Sequence, residues 1–186
     1  MPGKTAKVFV SHDAADVEIA KLLVSLLKEV GVPGADIFCT SVPGHRVPSG
    51  QNFSIYIKEQ FTECDVVVAL VSKNYLDSPF CLCEAGAVWI TASKHFFPLV
   101  IPPASFSDFD GALYGVQGIR IDSSADLSEL RDCLNELLGT KACTTPMWEV
   151  PNHNDGSTKR ATSITRKSFL QKLTLSVVRH FSWQCF

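Results

Sequence analysis

The fold of this chain is decided by an almost unbroken apolar run, Asp65-Val66-Val67-Val68-Ala69-Leu70-Val71. Such a run is typical of a parallel strand that helices cover on both faces. Short apolar segments rich in β-branched or aromatic residues also occur at residues 6–10, 36–40, 97–101 and 116–121. Together the segments predict five strands.

Helical patterns separate these strands. Apolar residues recur at spacings of three and four within residues 13–30, 52–62 and 127–138, and a further helix is expected from about residue 78 to 94. Strands that alternate with helices predict an α/β fold with a flavodoxin-like parallel sheet, right-handed crossovers and helices on both faces. Ligands of such folds bind at the carboxyl ends of the strands. Ser11-His12, the proline- and glycine-rich loop after Thr40 and a turn at residues 72–80 that leads to Glu84 are expected to converge there.

We expect the chain to divide into a domain at residues 1–140, a linker at 141–163 and an amphipathic helix with a tail at 164–186. The linker is rich in Pro, Ser, Thr and Asn, and the last segment carries apolar residues at helical spacing. That segment is basic, whereas the body is acidic, so the tail is expected to dock on the body in preference to another partner.

An apolar fraction of 46% and a charged fraction of 19% predict a folded globular protein. The first residues lack a secretory signal and no apolar run reaches membrane-spanning length, so we expect a cytoplasmic protein without a membrane partner. Seven cysteines, an odd number, do not resemble a disulfide framework. They also lack the paired Cys-x-x-Cys spacing of a zinc site, so reduced thiols and no metal are expected.

The sequence predicts an unusual carboxylate on the helix that begins near residue 78. Ser78 suits the cap of this helix and Pro79 its first position. Phe80 lies one turn before Glu84 and Cys81 three residues before it, in otherwise uncharged surroundings. A carboxylate in such a place favours a ligand-binding role, because burial disfavours its ionised form. The alternative is that Glu84 faces water beside a core helix.

The same helix has a second, apolar side, formed by Leu82, Ala85, Trp89 and Ala92.

Several familiar sites are absent from the sequence. It contains no phosphate-binding loop of the G-x-x-x-x-G-K-[ST] type, no G-x-G-x-x-G after the first strand and no G-x-S-x-G elbow. Asp65 lies at the start of its strand, which argues against a receiver-type phosphoacceptor. The basic tail lacks a base-stacking or zinc-finger pattern, so no nucleic acid partner is expected.

Three motifs in order resemble the Toll/interleukin-1 receptor (TIR) domain: Lys7-Val8-Phe9-Val10-Ser11-His12, the Ile37-Phe38 strand with the Pro/Gly loop after it, and Ser78-x-x-Cys81-x-x-Glu84 with Gly86 and Trp89. Within that family the cysteine and glutamate helix is similar to bacterial and plant enzymes that cleave NAD, including the enzymes of Thoeris-type antiphage defence. The resemblance covers roughly residues 5 to 140.

The resemblance implies a catalytic role for Glu84 and a substrate-binding role for Ser11, His12, Arg46, Phe53 and Phe80. It makes NAD+ a substrate and requires no cofactor. The expected products are ADP-ribose, a cyclic isomer or a conjugate, and a downstream effector would sense the product. Homo-oligomers through TIR–TIR contacts are also implied. Arg46 could instead be an assembly contact or an exposed loop cation.

Two other functions remain open. One is a non-catalytic TIR scaffold that acts by homotypic assembly through its second loop. The other is an enzyme resembling nucleoside deoxyribosyltransferases, which share the sheet and a glutamate nucleophile.

Overall fold

The sheet has five parallel strands in the order β2-β1-β3-β4-β5. The computed structural model describes residues 6–42, 47, 49–91 and 94–138. Its strands are β1 (Val8–Ser11), β2 (Ile37–Phe38), β3 (Val66–Val71), β4 (His95–Val100) and β5 (Ile119–Arg120). The predicted five-stranded parallel sheet is confirmed, although the two edge strands β2 and β5 are shorter than predicted.

Helices connect the strands as the periodicity predicted. They are α1 (Val17–Glu29), α2 (Phe53–Glu63), α3 (Lys73–Asp77), α4 (Pro79–Ile90) and α5 (Ser124–Leu138). Helix α1 ends at Gly31, whose φ of 106° suits a residue without a β-carbon. The Gly31 amide donates to the Lys28 carbonyl and the Val32 amide to the Leu27 carbonyl, which completes the cap.

The structure corrects the predicted turn between residues 72 and 80. This segment contains α3, because Ser72 caps a first helix by accepting from the Tyr75 amide and Ser78 caps α4 by accepting from the Cys81 amide. Helix α4 also ends at Ile90, before the expected residue 94, where the Thr91 amide bonds the Val88 carbonyl.

The helices form two layers around the sheet. Helices α1 and α5 pack on one face, against side chains such as Val8, Val10 and Val68. Helices α2, α3 and α4 pack on the other face, against Phe9 and against the odd-numbered residues of β3. Side chains alternate between the faces along a strand, so Ser11 lies on the same side as Phe9 and faces α3 and α4.

Of the described residues on the second apolar side of α4, Ala85 is buried, whereas Leu82 and Trp89 are exposed. Trp89 is 70% exposed and Leu82 38% exposed, and Ile90 beside them is 77% exposed. The residues that face the sheet are Cys81, Ala85 and Val88. Since almost every residue of this helix is uncharged, composition alone does not distinguish its inner side from its outer side.

The remaining sequence predictions fall partly outside the described residues. The proposed linker at 141–163 and the C-terminal helix at 164–186 lie there and stay predictions. None of the helices formed by the described residues combines the length and the apolarity needed to cross a bilayer.

A buried carboxylate ties two connections together at the carboxyl edge of the sheet. Asp16, which follows β1 and is 1% exposed, accepts a hydrogen bond from Ser72 Oγ at 2.5 Å. Asn74 Nδ2 lies 3.4 Å from the other Asp16 carboxylate oxygen. Ser72 in turn caps α3, so Asp16 fixes the start of α3 relative to β1.

We predict that Asp16→Ala lowers the free energy of unfolding by about 2 kcal/mol, because it removes charge-assisted hydrogen bonds from a buried site. Urea unfolding at pH 7 measures the change. Asp77→Ala, which removes an exposed carboxylate at the end of α3, is the matched control and should change stability by less than about 0.5 kcal/mol. Equal effects of the two substitutions would contradict this role of Asp16.

Candidate active site

Glu84 is half-buried and its side chain meets the end of β1. The Ser11 hydroxyl donates a hydrogen bond to Glu84 Oε2 at 2.5 Å. The two residues are 73 positions apart in the sequence and are joined because β1 ends beside the first turns of α4. Of the predicted site residues, Ser11 and Glu84 are thus brought into direct contact. Their roles in a reaction remain predictions.

Burial makes the Glu84 carboxyl group a weaker acid. Its pKa is raised from 4.5 to about 6, mainly because burial disfavours the charged form, and the hydrogen bond from Ser11 opposes this rise. Among the described residues, no cation contributes to the pKa of Glu84. The carboxylate is still mostly ionised at neutral pH, in the uncharged surroundings that the sequence predicted.

Tyr75 belongs to the same cluster and was missed by the sequence analysis. Its hydroxyl lies 3.2 Å from Ser11 Oγ, and its side chain is fully buried. Burial raises its pKa well above the usual value for a tyrosine, so the phenol stays protonated. Its position after β3, at the ligand-binding edge of the sheet, was a usable signal, but the segment was interpreted as a turn.

His12 presents an unsatisfied nitrogen next to this cluster. Its Nδ1 lies 2.7 Å from the Asp13 carbonyl oxygen, which can only accept, so Nδ1 carries the proton. Nε2 is buried and has no hydrogen-bond partner among the described residues. This arrangement leaves His12 able to accept a hydrogen bond from a ligand.

The structure describes the other predicted site residues, Phe80, Phe53 and Arg46, less fully. Phe80 lies one turn before Glu84 on α4 and is 48% exposed, so its ring reaches the surface. Phe53 begins α2, and its side chain lies outside the described part of the structure, as does Arg46. The substrate-binding roles of these three residues stay predictions.

Cys81 does not supply a nucleophile to this site. The thiol is buried one turn before Glu84, and burial raises its pKa to about 11. A thiol with such a pKa is protonated at neutral pH and unreactive. Glu84 therefore carries the charge of this cluster, and Ser11 and Tyr75 supply hydroxyl groups.

Comparisons with known proteins identify relatives of this chain. The TIR domain family model matches residues 8–138. The uncharacterized protein YddK of Bacillus subtilis is 30% identical over 131 residues, which are 68% of this chain and 47% of YddK. A probable 2′ cyclic ADP-D-ribose synthase of Brachypodium distachyon, BdTIR, is 30% identical over 95 residues, 50% of this chain and 39% of BdTIR. The chain thus spans less than half the length of these relatives.

A solved structure supports the fold. The TIR domain of the Toll-related receptor TRR-2 from Hydra magnipapillata superimposes with a TM-score of 0.56 at 15% identity. The match covers 72% of this chain and 98% of the receptor domain. At this identity the likeness concerns the fold alone.

The raised pKa of Glu84 predicts a measurable cost in stability. Between pH 4.5 and 6 the folded protein binds a proton that the unfolded chain has lost, so stability falls as pH rises through this window. Glu84→Gln removes the titration and should raise the free energy of unfolding at pH 8 by about 1–2 kcal/mol. Urea unfolding should show this gain shrinking as pH falls toward 4.5. Glu59→Gln, at an exposed position on α2, should show no such trend.

Proposed function

This chain belongs to the TIR domain family, and on that premise we propose that it cleaves the bond between nicotinamide and ribose in NAD+. The observation that carries the proposal is the half-buried Glu84 carboxylate, held by Ser11 at the carboxyl edge of a parallel sheet. The similarity to BdTIR supports the proposal, because the name of BdTIR gives a cyclic ADP-ribose as its product, and cleavage of NAD+ at this bond yields ADP-ribose or a cyclic form of it.

A single carboxylate is sufficient for this reaction. Most glycosidases need a second carboxyl group that protonates the leaving group. In NAD+ the nicotinamide departs as a neutral molecule, since its ring nitrogen takes the electrons of the broken bond and loses its positive charge. What remains is the stabilisation of positive charge on the ribose, which a negatively charged side chain provides.

The geometry around Glu84 suits this task. Oε2 accepts the hydrogen bond from Ser11, and among the described residues no group bonds the other oxygen, Oε1. Oε1 is therefore available to the ribose hydroxyls or to the developing cation. His12 Nε2, which has no hydrogen-bond partner in the described part of the chain, would accept a hydrogen bond from the sugar or the base. Phe80 would stack on the nicotinamide ring.

The acceptor at the ribose C1 atom determines the product. Water adds an oxygen, loses a proton and gives ADP-ribose, an internal hydroxyl or adenine nitrogen gives a cyclic isomer, and another acceptor gives a conjugate. We further propose that the product serves as an immune signal in antiphage defence and that an effector protein senses it. These two steps rest on the resemblance to family members.

A second candidate function is assembly without catalysis. The outer side of α4 exposes Trp89 and Ile90, which are 70% and 77% accessible, on a helix with no charged residue other than Glu84. Exposed apolar side chains of this size favour a contact with another protein, including a second copy of the chain. Trp89→Ser should reduce oligomer size in light scattering if this surface assembles, while Glu84→Gln should not.

We predict that Glu84→Gln lowers the turnover of NAD+ roughly 10²- to 10³-fold, the scale of losing a preorganised electrostatic contact. Nicotinamide release, followed by mass spectrometry in dilute and concentrated samples, measures turnover. Glu59→Gln is the control and should retain the wild-type rate. An unchanged rate in Glu84→Gln would remove Glu84 from the mechanism.

The rate of NAD+ cleavage should also fall at acid pH. The ionised form of Glu84 is the active one, and its pKa is about 6. The ratio kcat/KM, which reports the free enzyme, should therefore be half-maximal near pH 6 and fall about tenfold per pH unit below it. The residual activity of Glu84→Gln should not show this fall at acid pH, the acid limb of the pH profile. A wild-type profile that is flat from pH 8 to pH 5 would contradict the assignment.

A further inference from the structure

The hydroxyl of Ser11 lies between two oxygens that both come within hydrogen-bonding distance. It is 2.5 Å from Glu84 Oε2 and 3.2 Å from the Tyr75 hydroxyl. A serine hydroxyl has one proton, and an ionised carboxylate can only accept. When Glu84 is ionised, Ser11 must donate to Glu84, and the Tyr75 hydroxyl must then donate to Ser11.

Tyr75 is held in place by packing and by hydrogen bonds, so its hydroxyl stays in position to donate to Ser11. Its side chain is fully buried in a cluster with Ala69, Val71 and Leu113. Its amide donates to Ser72 Oγ, and Ser72 itself is hydrogen-bonded to the buried Asp16. The residue that pairs with Ser11 on β3 is Ala69, whose small side chain leaves room for the tyrosine ring.

We propose that Tyr75 is a positioning residue of the NAD+-cleaving site, whose buried hydroxyl orients the Ser11 proton onto Glu84 and keeps that carboxylate ionised and fixed. This inference rests on the proposed function for its catalytic consequence. It adds a residue that makes no contact with the reacting atoms and acts through Ser11.

The Ser11 and Tyr75 hydroxyls matter for the charge of Glu84, because the other groups around the carboxylate do little to stabilise it. The Tyr75 phenol on α3 and the Cys81 thiol on α4 face the same cluster, and both are neutral at pH 7. The charged groups that act on Cys81 are Glu84 itself, Asp13 and Asp16, and no described cation acts on Glu84. The hydrogen bond from Ser11 is the contact that lowers the pKa of Glu84. A donor behind Ser11 strengthens that bond by polarising it.

The test is the pH profile of Tyr75→Phe. We expect the acid limb of NAD+ cleavage to move up by about 0.5–1 pH unit, because the carboxylate loses part of its stabilisation. The ratio kcat/KM should therefore fall about 1.5- to 3-fold at pH 6.5 and recover to within about 1.1-fold of wild type at pH 8.5. Tyr114→Phe, at a position that is 78% exposed, is the matched control and should leave the profile unchanged. A loss of the same size at every pH would overturn the proposal.

A double-mutant cycle tests whether Tyr75 affects Glu84 through Ser11. Ser11→Ala should move the acid limb by about 1 pH unit or more, since it removes the direct bond to the carboxylate. In that background Tyr75→Phe should add almost no further shift. A full, additive shift would show that Tyr75 acts by another route and would overturn the proposal. If Tyr75→Phe does not fold, Ser11→Ala still tests the path that the proposal requires. An unmoved acid limb in Ser11→Ala would show that the bond from Ser11 does not set the ionisation of Glu84, and would overturn the proposal.

A direct titration separates this inference from the proposed function. In protein labelled with 13C at the glutamate carboxyl groups, Glu84→Gln assigns the signal and NMR follows it with pH. A Glu84 pKa that rises in Tyr75→Phe supports the positioning role even if no variant cleaves NAD+, in which case the proposed function alone fails. An unchanged Glu84 pKa overturns the positioning role even if the wild-type protein cleaves NAD+.

Discussion

The burial of one carboxylate constrains the rest of the site. Glu84 has a raised pKa because burial disfavours its charge, and the described residues around it provide hydroxyl groups and no cation. A buried charge without an ionic partner must be held by hydrogen bonds, and the bond from Ser11 is the one that the structure shows. Among the described residues, no cation balances this charge and no group bonds the second carboxylate oxygen, and these two features support the proposal that the site takes a positively charged substrate.

The sheet makes this arrangement possible through strand alternation. Ser11 shares a face of β1 with Phe9, and this face is covered by α2, α3 and α4. The same alternation places Ala69 and Val71 of β3 beside the Tyr75 ring. A shift of one residue in the register of β1 would turn Ser11 toward α1 and separate it from Glu84. The long buried strand β3 fixes that register by pairing with all four residues of β1.

The sequence predicted the sheet, most helices and the unusual position of the Glu84 carboxylate on α4. Strand alternation, apolar spacing and capping residues are local signals, which is why these features could be predicted. The sequence also predicted that Ser11 and His12 lie at the same edge. It did not predict Tyr75, since the burial of a phenol and its bond to a residue 64 positions away depend on tertiary packing. The outward orientation of Trp89 was not predicted either, for a related reason. In a helix that is apolar almost all round, the buried side is chosen by the elements packed against it.

The residues of the proposed catalytic site and those of the proposed assembly surface lie on different sides of α4. The inner side carries Cys81, Ala85 and Val88, with Glu84 at its border, whereas Trp89 and Ile90 point outward. A partner that binds the outer side would stiffen the helix without covering the carboxylate, because the two sides are separated by the helix itself. The direction of Glu84 is set from β1 and α3, through Ser11 and Tyr75, and both lie in the buried core. Contact between copies would then act on a site whose carboxylate is already oriented, and would leave its pKa to the residues inside the domain.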